Sequence, residues 1–149
     1  MIEVVPPDRL GPVAIGMSVD DAEAALRAHG AVSVGERDGQ RPGVAYYPSG
    51  LSVHVHTGTG GVVNAVEAFR PIQPDTVSFR DIDLFATPAH EVENGLRAFT
   101  EVEIEERGCT LIAPDLLLSL WRPYVADSPQ DRDGYYFESA LVAEPGYYD

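Results

Sequence analysis

Apolar and polar residues alternate along residues 51–56, and this alternation predicts a β-strand with one apolar and one polar face. The apolar face carries Leu51, Val53 and Val55, and the polar face carries Ser52, His54 and His56. Pro48-Ser49-Gly50 precedes this segment and a glycine-rich stretch at 57–61 follows it, which is typical of chain reversals. Residues 44–47 and 62–69 are therefore predicted to be its neighbours in a three-stranded meander.

A helix is predicted over residues 19–29, immediately before this meander. Ser18 is a good N-cap, Asp21 occupies the third position of a capping box, and Gly30 suits the position after the last turn. Val19, Ala22 and Leu26 share one side of this helix. The helix is expected to cover the apolar face of the meander.

A second helix is predicted after Thr87-Pro88, with threonine as N-cap and proline at the first helical position. Val92, Leu96 and Phe99 would form its apolar face, at spacings of i, i+4 and i+7.

Further strands are predicted in the second half of the chain. Residues 101–107 alternate, with Val102 and Ile104 inward and glutamates outward. Residues 116–121 are almost continuously apolar, which predicts a strand covered on both faces. After a polar loop, an aromatic strand is predicted over residues 135–143.

The order of elements repeats along the chain, since a helix followed by about four short strands occurs twice. The predicted fold class is α+β, with helices packed on one face of a mostly antiparallel sheet built from two similar halves. These halves span about residues 10–71 and 80–145 and are joined by a linker, Pro71-Asp75, in which two prolines interrupt regular structure. The 149 residues are expected to form a single compact domain.

Charge restricts the class of partner. The chain has 24 acidic and 10 basic residues, a net charge of −14, and every base is an arginine. This balance argues against nucleic acid and anionic membranes, because phosphate contacts need clustered cations, and it permits a basic protein partner. The sequence shows neither a secretory signal nor an apolar run of the roughly 20 residues that span a bilayer, and it has one cysteine, so we expect a cytoplasmic protein.

Residues that carry chemistry are sparse, and the sequence predicts neither a catalytic residue nor a cofactor. His54 and His56 are the weak candidates for a metal site, since two residues apart on a strand they lie about 7 Å apart on one face. Zinc needs a third and usually a fourth ligand, which the sequence does not place near them.

Aromatic residues are the better candidates for function. Tyrosine, tryptophan and arginine are enriched at the energetic centres of protein interfaces. Alternation along the strands sends about half of the rings away from the core. The candidates for a partner-binding surface are Tyr47, Trp121, Arg122, Tyr124, Tyr135 and Tyr136.

The pattern VPPDRLGPVAIGMSVDDAEAAL, followed by YYPSGLSVHV and GGVVNAVEAF, resembles the N-terminal half of uncharacterised bacterial proteins, often actinobacterial. The segment Ile15-Gly16-Met17-Ser18 leading into a helix and a meander also resembles modules of the beta-lactamase inhibitor protein and of outer-membrane-assembly lipoproteins of the SmpA/OmlA type. The resemblance covers most of residues 10–71 and, more weakly, the second half. It implies helices on a curved antiparallel sheet that binds proteins without a catalytic centre. The lipoproteins carry a signal and a lipidated cysteine that this sequence lacks, so an envelope role is not implied.

The function predicted from these features is a non-enzymatic protein–protein interaction or inhibitor module that presents aromatic rings and carboxylates to a basic protein. An immunity protein that neutralises a toxin is one concrete form. The alternatives are a small-ligand or metal-binding protein that uses His54 and His56, and a self-associating structural protein. The sequence does not predict an oligomeric state.

Overall fold

The computed structural model describes residues 1–147, which contain thirteen strands, three α-helices and four short 3-10 helices. The strands are β1 Ile2–Val5, β2 Arg9–Leu10, β3 Val13–Ala14, β4 Ser33–Val34, β5 Val44–Tyr46, β6 Ser52–Thr57, β7 Val63–Phe69, β8 Val77–Phe79, β9 Ile82–Asp83, β10 Glu103–Glu105, β11 Thr110–Ala113, β12 Leu118–Trp121 and β13 Ser139–Ala143. The helices are α1 Val19–His29, α2 Ala89–Arg97 and α3 Arg132–Tyr135.

The strands form two sheets, which confirms the predicted α+β class with mostly antiparallel pairing. The larger sheet has eight strands in the order β10-β11-β12-β13-β7-β6-β5-β4, all antiparallel. The smaller sheet has the order β3-β2-β1-β8-β9, in which only β1 and β8 are parallel. One continuous sheet was expected, and the smaller sheet was not.

The N-terminal strand β1 lies inside the smaller sheet, although Pro6-Pro7 follows it directly. It pairs with β2 on one side and with β8 on the other. A partner on each side is possible because the prolines lie beyond the strand, where they remove no ladder hydrogen bond.

The meander is confirmed as β5, β6 and β7. Leu51 and Val53 are fully buried, and Val55 packs against the same core, whereas His54 and His56 lie on the opposite side. A short 3-10 turn at Thr59–Gly61 joins β6 to β7, and Gly60 and Gly61 have φ values of 88° and 72° there. Glycine is favoured at such positive angles because it has no Cβ.

Helix α1 has the predicted bounds. The Ser18 hydroxyl accepts a hydrogen bond from the Asp21 amide at 3.1 Å, and the amide of Gly30 donates to the carbonyls of Leu26 and Arg27. Ala22 and Leu26 are fully buried, and α1 contacts β3, β4, β5 and β6.

Helix α2 begins one residue later than predicted and is shorter. Pro88, and not Thr87, occupies the N-cap position, and the helix ends at Arg97. Val92 and Leu96 are buried as expected, but Phe99 lies beyond the helix and is 55% exposed. Its ring packs edge-on against Phe79, which explains how an apolar ring remains outside the helical face. No helix within residues 1–147 has the length and apolar character needed to cross a membrane.

Two predicted strands of the second half differ from the structure. The strand β10 is only three residues long. Ile104 lies on the core side opposite Leu111, as predicted, but it is 41% exposed because β10 is the edge of the sheet. In β12, Leu118 and Leu120 are buried but Trp121 is 38% exposed, so the strand is not covered on both faces.

The predicted aromatic strand over residues 135–143 is also wrong in its first half. Residues 132–135 form α3, and β13 begins only at Ser139. Tyr135 and Tyr136 are therefore not on a strand, and strand alternation does not decide which way they point.

One buried cluster includes side chains from both sheets and from α1 and α2. The core face of the larger sheet is formed by alternate side chains that belong to this cluster. They are Ala45, Val53, Val66, Ala68, Leu111, Ala113, Leu118, Leu120, Ala140 and Val142, and each is at most 1% exposed.

Candidate binding surface

The side chains that alternate with the core face form the opposite side of the larger sheet, which we call the outer face. The strand registers align them in two rows that cross the sheet. Row one runs Tyr46, Ser52, Phe69, Ser139, Trp121, Thr110 and Glu105. Row two runs Val44, His54, Glu67, Leu141, Ser119, Ile112 and Glu103. None of these residues belongs to the buried core cluster.

Row one carries three aromatic rings that are separated by two small serine side chains. Tyr46 and Trp121 are each 38% exposed, and Phe69 lies half-buried between them. Ser52 and Ser139 separate the three rings and are only 7% and 2% exposed, because the larger side chains flank them. Tyr46 and Trp121 are four strands apart, or about 19 Å at the usual strand spacing. The row therefore presents two separated aromatic anchors, with Phe69 and two small serines between them.

Row two contains the imidazole of His54, and His56 lies two residues further along β6, opposite Ala65. The His54 ring packs edge-on against Phe69, with 4.7 Å between ring centroids, and burial lowers the pKa of His54. The charges of Arg41 and His56 lower that pKa further, while Glu67 opposes them. The Nε2 atom of His56 lies 3.7 Å from Oε1 of Glu67. His54 therefore favours the neutral form.

Both rows end at an acidic residue of β10, row one at Glu105 and row two at Glu103. Glu103 and Glu105 project from β10 on the outer face, opposite Ile112 and Thr110 of β11. From β6 to β10 the sheet adds five strands, or about 24 Å. The outer face is thus polarised, with His54, His56 and Arg41 near one end and the two glutamates at the other.

His54 and His56 share the outer face with Glu67. Within residues 1–147, no group of three or more histidine, cysteine or acidic side chains is arranged to hold a metal ion. The metal-binding alternative therefore has no arranged third ligand to support it. The lone Cys109 is half-buried.

Tyr47 requires a correction as a partner-binding candidate. Its side chain is 8% exposed and belongs to the core cluster, and its hydroxyl lies 2.9 Å from Nδ1 of His29. Burial, together with the charge of Asp75, raises the pKa of Tyr47 to about 12. The outward position belongs to its neighbour, Tyr46.

Arg122 and Tyr124 belong to the loop after β12. The Arg122 guanidinium donates to the carbonyls of Gly108 and Gly134 at 3.1 and 2.9 Å and lies 5.6 Å from the Phe137 ring centroid. Burial lowers the pKa of Arg122. These contacts indicate that Arg122 stabilises the loop rather than being available to a partner. Tyr124 is 44% exposed and is hydrogen bonded to Asp131.

Tyr135 and Tyr136 are half-buried and pack against each other edge-on, with centroids 5.3 Å apart. Tyr135 also packs against His90 of α2, and Arg132 lies over Tyr136. Of the six aromatic and arginine candidates, only Trp121 lies in the two rows of the outer face.

Sequence reasoning did not select Phe69, Leu141 and Ile112 as candidate site residues. Their signal is alternation along a strand. Leu141 and Ile112 each lie between two core residues, and Phe69 follows the core residue Ala68, so all three must point away from the core. What the sequence did not supply is the pairing of β7 with β13, which brings the two halves of the face together.

Comparison with protein-family models, with curated proteins and with solved structures found no match to this chain.

Proposed function

We propose that this protein is a non-enzymatic binding module whose outer face holds a basic partner protein. The observation that carries the proposal is the group of aromatic and apolar side chains on the outer face, namely Tyr46, Phe69, Trp121, Leu141 and Ile112. Large apolar groups on a sheet face away from the core are typical of surfaces that bind another molecule.

Energetic arguments support the use of the two exposed rings as anchors. A tryptophan or tyrosine side chain buries a large area on binding and loses little conformational entropy. The small side chains of Ser52 and Ser139 lie between the aromatic rings of row one and leave space above them for side chains of a partner. Alanine substitution of such anchors typically costs at least about 2 kcal/mol of binding free energy.

Charge supports a basic partner. The net charge of −14 favours the approach of a cationic protein and accelerates association at low ionic strength. Glu67, Glu103 and Glu105 place part of this charge on the outer face itself.

We also propose that the chain consists of two similar halves, each a helix followed by four strands, with helices on the side opposite to the outer face. Strand order supports this, because β4 to β7 and β13 to β10 run symmetrically away from the central β7–β13 pair. Turn chemistry agrees as well: Pro48 begins the turn before β6, and Pro114 begins the turn before β12. In this arrangement both halves contribute to the binding surface.

An immunity protein that neutralises a basic toxin is the biological form that we propose for this module. The resemblance to modules of the beta-lactamase inhibitor protein supports an inhibitory role. A toxin gene beside the gene for this chain would support that form strongly.

The test is site-specific photo-crosslinking in extract of the native cell. A photoreactive amino acid at Leu141, in the centre of the outer face, should give one major crosslinked product whose partner is basic. The same group at Ile72, which is 87% exposed but lies on the connection between β7 and β8, should not give that product.

The double variant Tyr46→Ala, Trp121→Ala should reduce the yield at least tenfold, and 0.5 M salt should reduce it as well. Tyr124→Ala is the matched control, because this exposed tyrosine lies outside the two rows. Equal yields from positions 72 and 141, or an unchanged yield from the double variant, would exclude the outer face as the binding surface.

A further inference from the structure

The outer face contains a groove at its acidic end, beside β10. Its volume is about 540 Å³, and Glu103, Glu105, Ile112, Pro114, Leu117 and Pro145 line it. Ile112 pairs with Glu103 across β10 and β11, while Leu117 and Pro145 lie near the ends of β12 and β13. The floor is therefore aliphatic and one wall carries two carboxylates. We call this feature the Glu103 groove.

Among residues 1–147, neither carboxylate of this wall is paired with a cation. Neither Glu103 nor Glu105 forms an ion pair or a side-chain hydrogen bond with another residue in the part of the chain that the structure describes. They are two residues apart on one side of an edge strand, so about 7 Å separates them. Like charges at such a distance repel each other, and a cation between them would relieve that repulsion.

We propose that the Glu103 groove holds an arginine side chain of the partner protein, an inference that rests on the proposed function. The methylene groups of the arginine would pack on Ile112, Leu117 and Pro145, and the guanidinium would lie between Glu103 and Glu105. An arginine fits both features of the groove, since its stem is apolar and its head is a cation with five donors.

The geometry favours arginine over lysine and over an uncharged ligand. A guanidinium is planar and weakly hydrated and donates to two carboxylates at once, whereas an ammonium loses more hydration when it enters a groove with an aliphatic floor. An apolar side chain would leave the two carboxylates without a partner beside it.

The groove is tested with a small probe, so that the partner need not be known. N-acetyl-arginine amide is titrated into the protein, labelled with 15N and with 13C in its methyl groups, at low ionic strength. The methyl signals of Ile112 and Leu117 and the amide signals of Glu103 and Glu105 should shift together and saturate in the millimolar range. N-acetyl-citrulline amide, which has the same shape without the charge, should bind at least tenfold more weakly, and the lysine analogue at least threefold more weakly.

The double variant Glu103→Gln, Glu105→Gln should weaken arginine binding at least fivefold. Glu101→Gln is the matched control, because Glu101 is an exposed acid just before the same strand and does not line the groove. Equal weakening by the control, or arginine-induced shifts spread evenly over all acidic residues, would overturn the proposal.

This result is separable from that of the crosslinking experiment. If position 141 crosslinks a partner but N-acetyl-arginine amide does not bind the Glu103 groove, the outer face binds a partner and the groove is not an arginine site. If N-acetyl-arginine amide binds the Glu103 groove but position 141 gives no crosslinked partner, the arginine site stands and the proposed role of Tyr46 and Trp121 is wrong.

Discussion

At the scale of single residues, two adjacent tyrosines have different roles. Tyr46 is 38% exposed on the outer face, whereas Tyr47 is 8% exposed and its hydroxyl meets His29 at the end of α1. Alternation along a strand requires neighbours to point to opposite sides, but it does not say which of them enters the core. The position of α1 decides this, because His29 supplies a polar partner for the Tyr47 hydroxyl.

Tyr47→Phe is expected to destabilise the protein by about 1 kcal/mol, since it removes a hydrogen bond and leaves the ring in place. The measurement is urea unfolding followed by circular dichroism. Tyr46→Phe is the control, with an expected change below about 0.3 kcal/mol at an exposed position. Equal losses from the two variants would contradict the assignment of Tyr47 to the core.

His54→Gln is expected to change how stability depends on pH. Burial lowers the pKa of His54 from its usual value of 6.5, so the folded protein binds fewer protons than the unfolded chain just below pH 6.5. Stability due to this group is therefore fully present above pH 6.5 and declines as pH falls towards the lower folded-state pKa.

The measurement is the free energy of unfolding between about pH 7.5 and pH 5. The wild type should lose more stability over this interval than His54→Gln does. A His54→Gln curve parallel to that of the wild type would show that His54 is not desolvated.

At the scale of elements, the turns control which strands meet. The Gly43 amide donates to the Glu23 carboxylate of α1 at 2.8 Å, and its carbonyl accepts from the Val55 amide at 2.7 Å. Gly43 has a φ of 79°, and a Cβ there would lie 2.8 Å from the Val55 carbonyl oxygen. This glycine therefore joins α1, β5 and β6 at a point with no room for a side chain.

Gly43→Ala should cost about 2–4 kcal/mol of stability, from the left-handed backbone and from the collision with β6. Gly39→Ala is a matched control, because Gly39 has a φ of 82° but no other atom lies within 4 Å of the position that its Cβ would occupy. It should cost only about 1–2 kcal/mol. Thermal and urea unfolding measure both, and equal costs would contradict the close approach of Gly43 to β6.

At the scale of the whole molecule, the two sheets connect the first and second parts of the chain. In the larger sheet β7 pairs with β13, and in the smaller sheet β1 pairs with β8. Each part thus supplies a strand that the other needs for its hydrogen bonds. We expect the chain to unfold as one cooperative unit.

Leu26→Ala tests this cooperativity, because Leu26 is fully buried in α1 and the single tryptophan, Trp121, reports on the second part of the chain. The substitution should cost about 2–5 kcal/mol. Tryptophan fluorescence and circular dichroism should shift to the same lower midpoint. Ile72→Ala, at a side chain that is 87% exposed, should leave both midpoints unchanged. A fluorescence midpoint that stayed at the wild-type value would show that the halves unfold independently.

The sequence alone determined the elements that depend on neighbouring residues. Helix α1 has its predicted bounds because the Ser18 cap, the apolar spacing and Gly30 all act within one segment. The β5–β7 meander was predictable for the same reason, since alternation and turn residues are local. Predictions failed where local signals were weak or conflicting, as at residues 135–138, whose aromatic residues favour a strand although α3 and a loop occupy them.

Tertiary structure decided the smaller sheet, the side chosen by each tyrosine, and the composition of the outer face. The row that joins His54 to Glu103 depends on five strand pairings. One of them, between β7 and β13, joins residues far apart in the chain, such as Glu67 and Leu141. No short-range pattern encodes such a register, because it is set by which strands bury their apolar sides together. The sequence therefore determined which side chains are available for binding, and the pairing of distant strands determined that they form one surface.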